Sequence, residues 1–266
     1  MLPTLSDLEL MARGAGAIVR QGYQPRPGFE NHLHVEYKGV VDPVTESDHQ
    51  AEAYLLEEIQ RRFPEHMVET EESGHLAGDR RFVWYLDPID GTINFAHGLP
   101  FFVVSIAFAL DGKMQMGAIY DPISDEMYTA QHGQGAWLNH QPIRVTSEAR
   151  LERSLLSTGF PFDVHTNPAN NLTQNDFLMV RTQGVIHIGA VAMDLCYLAA
   201  GRLDGTWQLR LRPWDIAAGG LIAEEAGAVV TSVQGDPDYM QPPYSILAAN
   251  PAIHPQILRI FQRLEN

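Results

Sequence analysis

The spacing of apolar side chains predicts two amphipathic helices early in the chain. Residues 6–9, Ser-Asp-Leu-Glu, have the form of a helix-capping box. The helix that they open is expected to run to about Gly22, before two prolines that cannot continue it. A second helix is expected from near Thr45, capped with the help of Asp48, to Phe63.

Strand patterns follow these helices. Between the helices, residues 28–43 are expected to form a loop or an irregular hairpin. Runs of β-branched, aromatic and small apolar residues predict strands at 81–86, 101–110, 113–120, 127–130 and 136–138. Asp111-Gly112 separates two of these runs and is a hairpin turn signal. The first half is therefore expected to be an α+β unit with an antiparallel meander.

The pattern changes near residue 150, where strands begin to alternate with helices. Strands are predicted at 155–158, 185–188, 206–211, 228–232 and 245–248, and helices at 170–182, 190–200, 216–226 and 253–264. Such alternation is typical of an α/β unit. We therefore expect two tightly packed halves, residues 1–148 and 149–266.

Composition narrows the class of protein. The chain of 266 residues is 45% apolar, which supports a sizeable core and excludes a disordered chain. Its formal net charge of −15 disfavours a basic nucleic-acid-binding face, so we expect no nucleic-acid partner. The start of the chain lacks a secretion signal, and the single cysteine, Cys196, fits a reducing compartment. These features predict a cytoplasmic protein without a membrane partner.

The most informative acids follow the strand at 81–86. Asp87 and Asp90 are separated by a proline and an isoleucine, and Gly91-Thr92 comes directly after them. The two carboxylates can converge on one point, and the N–H groups of Gly91 and Thr92 are suited to an oxyanion. Oxygen ligands favour Mg²⁺ or Mn²⁺. The alternative at this point is a turn with ordinary aspartate capping.

Two more acids lie at element ends. Glu71 follows a short strand and could add an oxygen ligand, although an exposed acidic turn has the same pattern. Asp215 falls in the first turn of the helix entered through Pro213-Trp214, where the helix dipole favours a carboxylate. The small residues 217–220 would let that helix approach a neighbouring backbone closely.

Taken together, these segments resemble the inositol monophosphatase family. The matching motifs, in chain order, are Pro43-Val44-Thr45 with Asp48, Glu71-Glu72-Ser73, Asp87-Pro88-Ile89-Asp90-Gly91-Thr92 with Asn94-Phe95, Ser157-Thr158-Gly159-Phe160-Pro161, and Trp214-Asp215 with Ala217-Ala218-Gly219 and Glu225-Ala226-Gly227. The resemblance spans nearly the whole chain. It implies a layered αβαβα sandwich of the inositol monophosphatase/fructose-1,6-bisphosphatase type, usually a homodimer. It also implies hydrolysis of phosphate monoesters with two or three Mg²⁺ ions, for which Mn²⁺ could substitute, and inhibition by Li⁺.

The resemblance also implies roles for individual residues. Glu71, Asp87 and the backbone carbonyl of Ile89 would hold a first ion, and Asp87, Asp90 and Asp215 a second. A third, looser ion would lie near Glu71. The attacking water would be oriented by Glu71 and by Thr92, which would be hydrogen-bonded to Asp48.

Substrate contacts follow from the same resemblance. The N–H groups of Gly91 and Thr92 would hold the phosphate, beside Asp90 and Asp215. Gly189, Ala190 and Val191 stand where the family contacts the sugar, and Gln208 stands where inositol-specific members carry a glutamate. Inositol 1-phosphate is therefore the expected substrate, with histidinol phosphate, fructose 1,6-bisphosphate and adenosine 3′,5′-bisphosphate as alternatives. The expected partner is accordingly a small phosphorylated polyol or sugar.

Two other classes of protein remain possible from these residues. An aspartyl-phosphate phosphatase also places aspartates at a strand end, but it uses Asp-x-Asp, whereas Asp87 and Asp90 are three residues apart. A metal-binding interaction protein with vestigial activity would keep the same acids.

Overall fold

The structure, a computed structural model, describes residues 1–24, 35–37, 43–168 and 170–264. Its helices are α1 (Leu5–Gly22), α2 (Glu46–Arg62), α3 (Thr92–Ala96), α4 (Leu172–Met179), α5 (Val191–Ala199), α6 (Pro213–Glu225) and α7 (His254–Leu264). Its strands are β1 (Val35–Tyr37), β2 (Pro43–Thr45), β3 (His66–Thr70), β4 (Gly74–Leu76), β5 (Asp79–Asp90), β6 (Val103–Leu110), β7 (Lys113–Asp121), β8 (Glu126–Gln131), β9 (Gly135–Leu138), β10 (Gln141–Ile143), β11 (Leu155–Thr158), β12 (Gly184–Ile186), β13 (Gly205–Leu209), β14 (Val229–Thr231) and β15 (Ser245–Ala249). Most of the loop or hairpin expected at 28–43 lies outside the described residues.

Two sheets dominate the described part of the chain. The larger has the order β10-β9-β8-β7-β6-β5-β3-β4, and the smaller has the order β12-β11-β13-β15-β14. In the larger sheet β5 through β10 form the expected antiparallel meander, with Asp111 and Gly112 at positive φ in the turn between β6 and β7. In the smaller sheet β11 runs parallel to β12 and to β13.

Helices cover both faces of each sheet. Val104, Ile106 and Phe108 of β6 pack in one core with α1 and α2, whereas Val103 and Ala107 pack in another with α5 and α6. A third core joins α5 and α6 to the smaller sheet, and a fourth places α4 and α7 on its far face. The order of layers is helix, sheet, helix, sheet, helix, which confirms the expected αβαβα sandwich.

The continuous apolar run at 101–110 has a simple cause in this arrangement. A strand covered by helices on both faces needs apolar side chains at every position, so the alternation of a half-exposed strand disappears. Helices α5 and α6 are shared by both sheets. The division of the chain at residues 148 and 149 stays a prediction.

Some element ends differ from expectation. The cap of α1 is Thr4, whose backbone N–H donates to the carboxylate of Asp7 at 2.9 Å, so the box expected at residues 6–9 is wrong by two positions. Thr4 and Asp7 have the same reciprocal spacing as Ser6 and Glu9 and lie two residues earlier. The cap of α2 by Thr45 and Asp48 is confirmed. Helix α4 is shorter than expected, and within the described ranges no helix has the length and apolar character to cross a membrane.

Candidate active site

The end of β5 brings Asp87 and Asp90 into the protein interior. The pairing of β5 with β6 shifts register between Asp87 and Asp90, which leaves Pro88 and Ile89 as an irregularity in the ladder. Both carboxylates are buried, with 2% and 7% of their residue surface exposed. Gly91 follows at φ 100°, and a Cβ there would lie 2.6 Å from the carbonyl oxygen of Phe101. Only glycine fits that close approach to the backbone.

Helix α5 fixes the orientation of Asp90. Its Oδ1 accepts a hydrogen bond from the backbone N–H of Val191 at 3.0 Å, and its Oδ2 accepts one from Ala192 at 2.6 Å. These N–H groups belong to the first turn of α5, where the helix dipole favours a negative charge. The two halves of the chain therefore meet at this carboxylate.

Glu71 and Asp215 are positioned by different local structures, a turn and a helix cap. Asp215 accepts a hydrogen bond from the backbone N–H of Arg212 at 2.7 Å in the capping box of α6. Glu71 lies in the turn after β3, and Glu52 of α2 organises that turn by accepting hydrogen bonds from the Thr70 hydroxyl at 2.6 Å and the Glu72 N–H at 2.9 Å. The sequence analysis missed Glu52, although it lies one helical turn after Asp48 on the same face of α2.

One cavity collects the acids and most of the other predicted site residues. It is lined by Glu71, Asp87, Ile89, Asp90, Gly91, Thr92, Ile93, Gly159, Phe160, Pro161, Phe162, His187, Gly189, Ala190, Val191, Gln208, Leu209, Arg210, Leu211 and Asp215. Asp48 lies behind this wall, fully buried. The alternative of an exposed acidic turn at Glu71 does not hold, because this residue faces the cavity.

The clustered acids disfavour one another's ionisation. Burial raises the pKa of Asp87 well above its usual value, and the charges of Glu71, Asp90 and Asp215 raise it further. Burial raises the pKa of Asp90 to about 7, although the N–H groups of Ala192 and Val191 oppose the rise. Burial also raises the pKa of Asp215. Charged groups in this position need a compensating cation or a shared proton.

The chemistry of the donors fits a hard cation. Carboxylate oxygens together with the Ile89 carbonyl form an oxygen-only set, which Mg²⁺ prefers over softer ligands. Among the described residues, no three acidic, histidine or cysteine side chains are grouped closely enough to hold a metal ion. The ligand assignments of Glu71, Asp87, Ile89, Asp90 and Asp215 stay predictions.

Thr92 stands between Asp48 and Ile89. Its Oγ1 lies 2.9 Å from the carbonyl oxygen of Ile89 and 3.2 Å from Oδ1 of Asp48, and its one proton can be donated to only one of them at a time. Asp48 is held by the Thr45 N–H at 2.8 Å, and burial raises the pKa of Asp48 to about 6. The hydroxyl thus has a choice of acceptors at the cavity wall.

The cavity is also lined by residues to which the sequence analysis gave no role, among them Phe160, His187 and Arg210. Phe160 and His187 stack with ring centres 5.6 Å apart, and burial lowers the pKa of His187. Arg210 has a positive φ of 59° and pairs with Asp163 at 3.0 Å. No sequence pattern marks Arg210. Its positive φ, which is uncommon for a residue other than glycine, can be seen only in the fold.

Comparisons with known proteins agree with this geometry. The family model that matches residues 4–266 is that of the inositol monophosphatase family. The structure of the inositol monophosphatase from Anabaena (Nostoc) sp. PCC 7120 has 39% identity and a TM-score of 0.87, covering 97% of this chain and 95% of that one. The extragenic suppressor protein suhB from Bartonella henselae has 37% identity and a TM-score of 0.88, covering 96% and 97%.

A curated relative corrects the expectation about partners. The Nus factor SuhB of Vibrio cholerae is 44% identical over 252 residues, which are 94% of this chain and 92% of that protein. That relative is named as a Nus factor, a name from transcription, and this contradicts the expectation of no nucleic-acid partner. The reason is that net charge is an average over the whole surface, and it does not report on how a protein joins an assembly. By sequence and by structure, the chain belongs to the inositol monophosphatase family.

Proposed function

We propose that this protein hydrolyses a small phosphate monoester with the help of Mg²⁺, and that inositol 1-phosphate is its main substrate. The observation that carries the proposal is that four acids line one cavity, from the turn after β3, the end of β5 and the start of α6. Their mutual repulsion is relieved by a divalent cation, and a phosphate group is attracted once the cation is present. The same chemistry on histidinol phosphate, fructose 1,6-bisphosphate or adenosine 3′,5′-bisphosphate is the alternative.

One set of residues would bind the ions, and another would orient the attacking water. Glu71, Asp87 and the Ile89 carbonyl would hold one ion, and Asp87, Asp90 and Asp215 another. When bound, the ions supply a water of lowered pKa and stabilise charge on the phosphoryl oxygens. Glu71 and the Thr92 hydroxyl would orient that water, with Asp48 fixing Thr92.

The remaining contacts would place the ester. The N–H groups of Gly91 and Thr92 would hold the phosphate, and Gly189, Ala190, Val191 and Gln208 would contact the alcohol. We place this reaction in the cytoplasm, in keeping with the single buried thiol of Cys196, and expect Li⁺ to inhibit it.

The first test is the substitution Asp90→Asn. We expect phosphate release to fall to background, because the neutral amide removes a charge from the ion site, while the circular dichroism spectrum stays that of the native protein. Asp176→Asn, an exposed acid on α4 outside the cavity, is the matched control. Turnover of Asp90→Asn near that of the native protein in Mg²⁺ would remove the two-ion assignment, and a panel of the four esters would rank the substrates.

A second role is favoured by the Nus factor name of the Vibrio relative. We propose that the chain also serves as a protein component of a transcription complex. Capture of transcription proteins by the native chain and by Asp90→Asn in equal amounts would separate this role from hydrolysis. Loss of capture by Asp90→Asn would show that binding of transcription proteins depends on the intact cavity.

A further inference from the structure

A polar cluster lies buried behind the cavity, between the smaller sheet and α5. Ser157 and Thr206 are register partners in the parallel strands β11 and β13, so their side chains share a face, and Gln208 follows two residues along the same face. Asp194 of α5 packs on that face. The exposed fractions are 0% for Ser157 and Asp194, 1% for Thr206 and 6% for Gln208.

The amide of Gln208 has a defined orientation in this cluster. Its Nε2 donates to Oδ2 of Asp194 at 2.8 Å. Its Oε1 lies against Gly159, where an added Cβ would come within 2.3 Å of that oxygen. Gln208 and Gly159 line the cavity, whereas Asp194 does not and is fully buried. The amide oxygen is therefore on the cavity side and the amide nitrogen on the interior side.

The carboxylate of Asp194 explains this orientation. Burial raises the pKa of Asp194, and whichever form it takes, its Oδ2 is the acceptor in this contact, so the NH₂ group of the amide faces it. The other oxygen of Asp194 makes no well-formed hydrogen bond within the described part of the chain, although the Ser157 hydroxyl lies beside this carboxyl group and lowers its pKa against the effect of burial. The bond to Gln208 thus satisfies Oδ2 of this buried carboxyl group, and as long as any proton sits on the other oxygen, reversing the amide would set two acceptors against each other.

We propose that Asp194 is a positioning residue that fixes the Gln208 amide with Oε1 toward the cavity, where this oxygen accepts a hydrogen bond from a hydroxyl of the substrate's alcohol. The substrate class is a phosphate monoester whose alcohol carries a free hydroxyl near the phosphate. This inference rests on the proposed function and deepens it, because it explains how the neutral Gln208 can serve where inositol-specific members carry a glutamate.

The test compares Asp194→Asn with the native protein on two substrates. An asparagine can donate or accept, so the Gln208 amide loses its single orientation. We expect KM for inositol 1-phosphate to rise about five- to tenfold, the value of one hydrogen bond, with little change in kcat. KM for cyclohexyl phosphate, which has the same ring size and no hydroxyl, is expected to stay unchanged.

A double substitution shows whether Asp194 acts through Gln208. In a Gln208→Ala background, Asp194→Asn is expected to add no further rise in KM. Thr206→Val, which removes a hydroxyl from the same cluster while keeping the side-chain shape, is the control and is expected to leave KM unchanged. Equal rises for both substrates, or additive effects of the two substitutions, would overturn the proposal.

A measurement without turnover separates this inference from the proposed function. The side-chain amide signal of Gln208 in a nitrogen–proton NMR spectrum, identified by its loss in Gln208→Ala, is expected to shift in Asp194→Asn and to stay in place in Thr206→Val. An unshifted signal in Asp194→Asn overturns the positioning role. A shifted signal in a protein that hydrolyses none of the esters supports the Asp194–Gln208 geometry and rejects the phosphatase assignment.

Discussion

Single residues in this protein show how burial and local dipoles compete for one charge. Asp90 is driven toward its neutral form by burial and toward its charged form by the N–H groups of Val191 and Ala192. The result is a pKa of about 7, at which a small change in surroundings changes the charge. Near neutral pH, Asp90 is therefore present in both its neutral and its ionised form, and a bound cation would shift it to the ionised form.

His66 permits a pH prediction away from the active site. Its ring stacks between Phe63 and Phe82, with centres 5.2 Å and 4.6 Å away, and its Nδ1 accepts a hydrogen bond from Trp84 Nε1 at 3.1 Å. Burial lowers the pKa of His66 in the folded protein. The unfolded chain therefore binds a proton first as the pH falls below about 6.5, and the folded state loses stability there.

The measurement is the urea midpoint at pH 7.5 and pH 5.5. We expect His66→Gln to be less stable than the native protein at pH 7.5, because it loses the ring packing, and to lose less additional stability between the two values. His75→Gln, an exposed histidine on β4, should keep the native pH dependence. An unchanged pH dependence in His66→Gln would show that this ring does not titrate as argued.

Among the elements, α5 and α6 are closely packed, and each contacts both sheets. A Cβ on Gly117 of β7 would lie 3.0 Å from the carbonyl oxygen of Ala218 in α6, which confirms the close backbone approach expected from the small residues 217–220. A Cβ on Gly219 would lie 2.8 Å from Cβ of Leu195 in α5. The first turn of α5 donates two backbone N–H groups to Asp90, and the first turn of α6 carries Asp215, so both helices position acids of the cavity.

The substitution Gly219→Ala tests this packing. Alanine gains about 1 kcal/mol of helix propensity, but the contact with Leu195 costs about 1–3 kcal/mol because it lies near the backbone of α5. We expect a net loss of unfolding free energy together with weaker phosphate release. Gly184→Ala, where the nearest atom is 3.5 Å from the new Cβ, is the control and should change stability by less than about 1 kcal/mol. A fully stable Gly219→Ala would mean that α5 can move aside without cost.

At the scale of the whole molecule, the αβαβα sandwich followed from the resemblance, and the sequence patterns predicted most of its elements. Asp87 and Asp90 could be identified because a buried strand leads directly into them. Glu52 and the contact between Gly159 and Gln208 could not, because they depend on how a helix or loop is placed on a sheet. Hydrophobic periodicity indicates which face of an element is buried, but not which distant side chain it meets. The hydrogen bond between Asp194 and Gln208 likewise appears only in the fold.

The whole molecule should also respond to metal. Ions that bind the folded cavity and not the unfolded chain stabilise the fold by about 2.7 kcal/mol at a hundredfold excess over Kd. For a chain of this size that corresponds to a rise in Tm of about 5 to 10 °C. We expect this rise on replacing EDTA with Mg²⁺, and a smaller one in Asp215→Asn. NaCl at equal ionic strength is the control, and an equal rise with NaCl would indicate general screening of the net charge.

The first turn of α5 ties two tasks together. The N–H groups of Val191 and Ala192 donate to Asp90, the acid that would face the ions. Asp194, on the same turn, accepts from the Gln208 amide that would contact the alcohol. A change that adapts this protein to a different alcohol by shifting α5 would therefore also disturb the ion chemistry. A substitution at Gly159, where a new Cβ would meet the Gln208 amide, is a route by which new substrate preferences could arise without a direct change to α5.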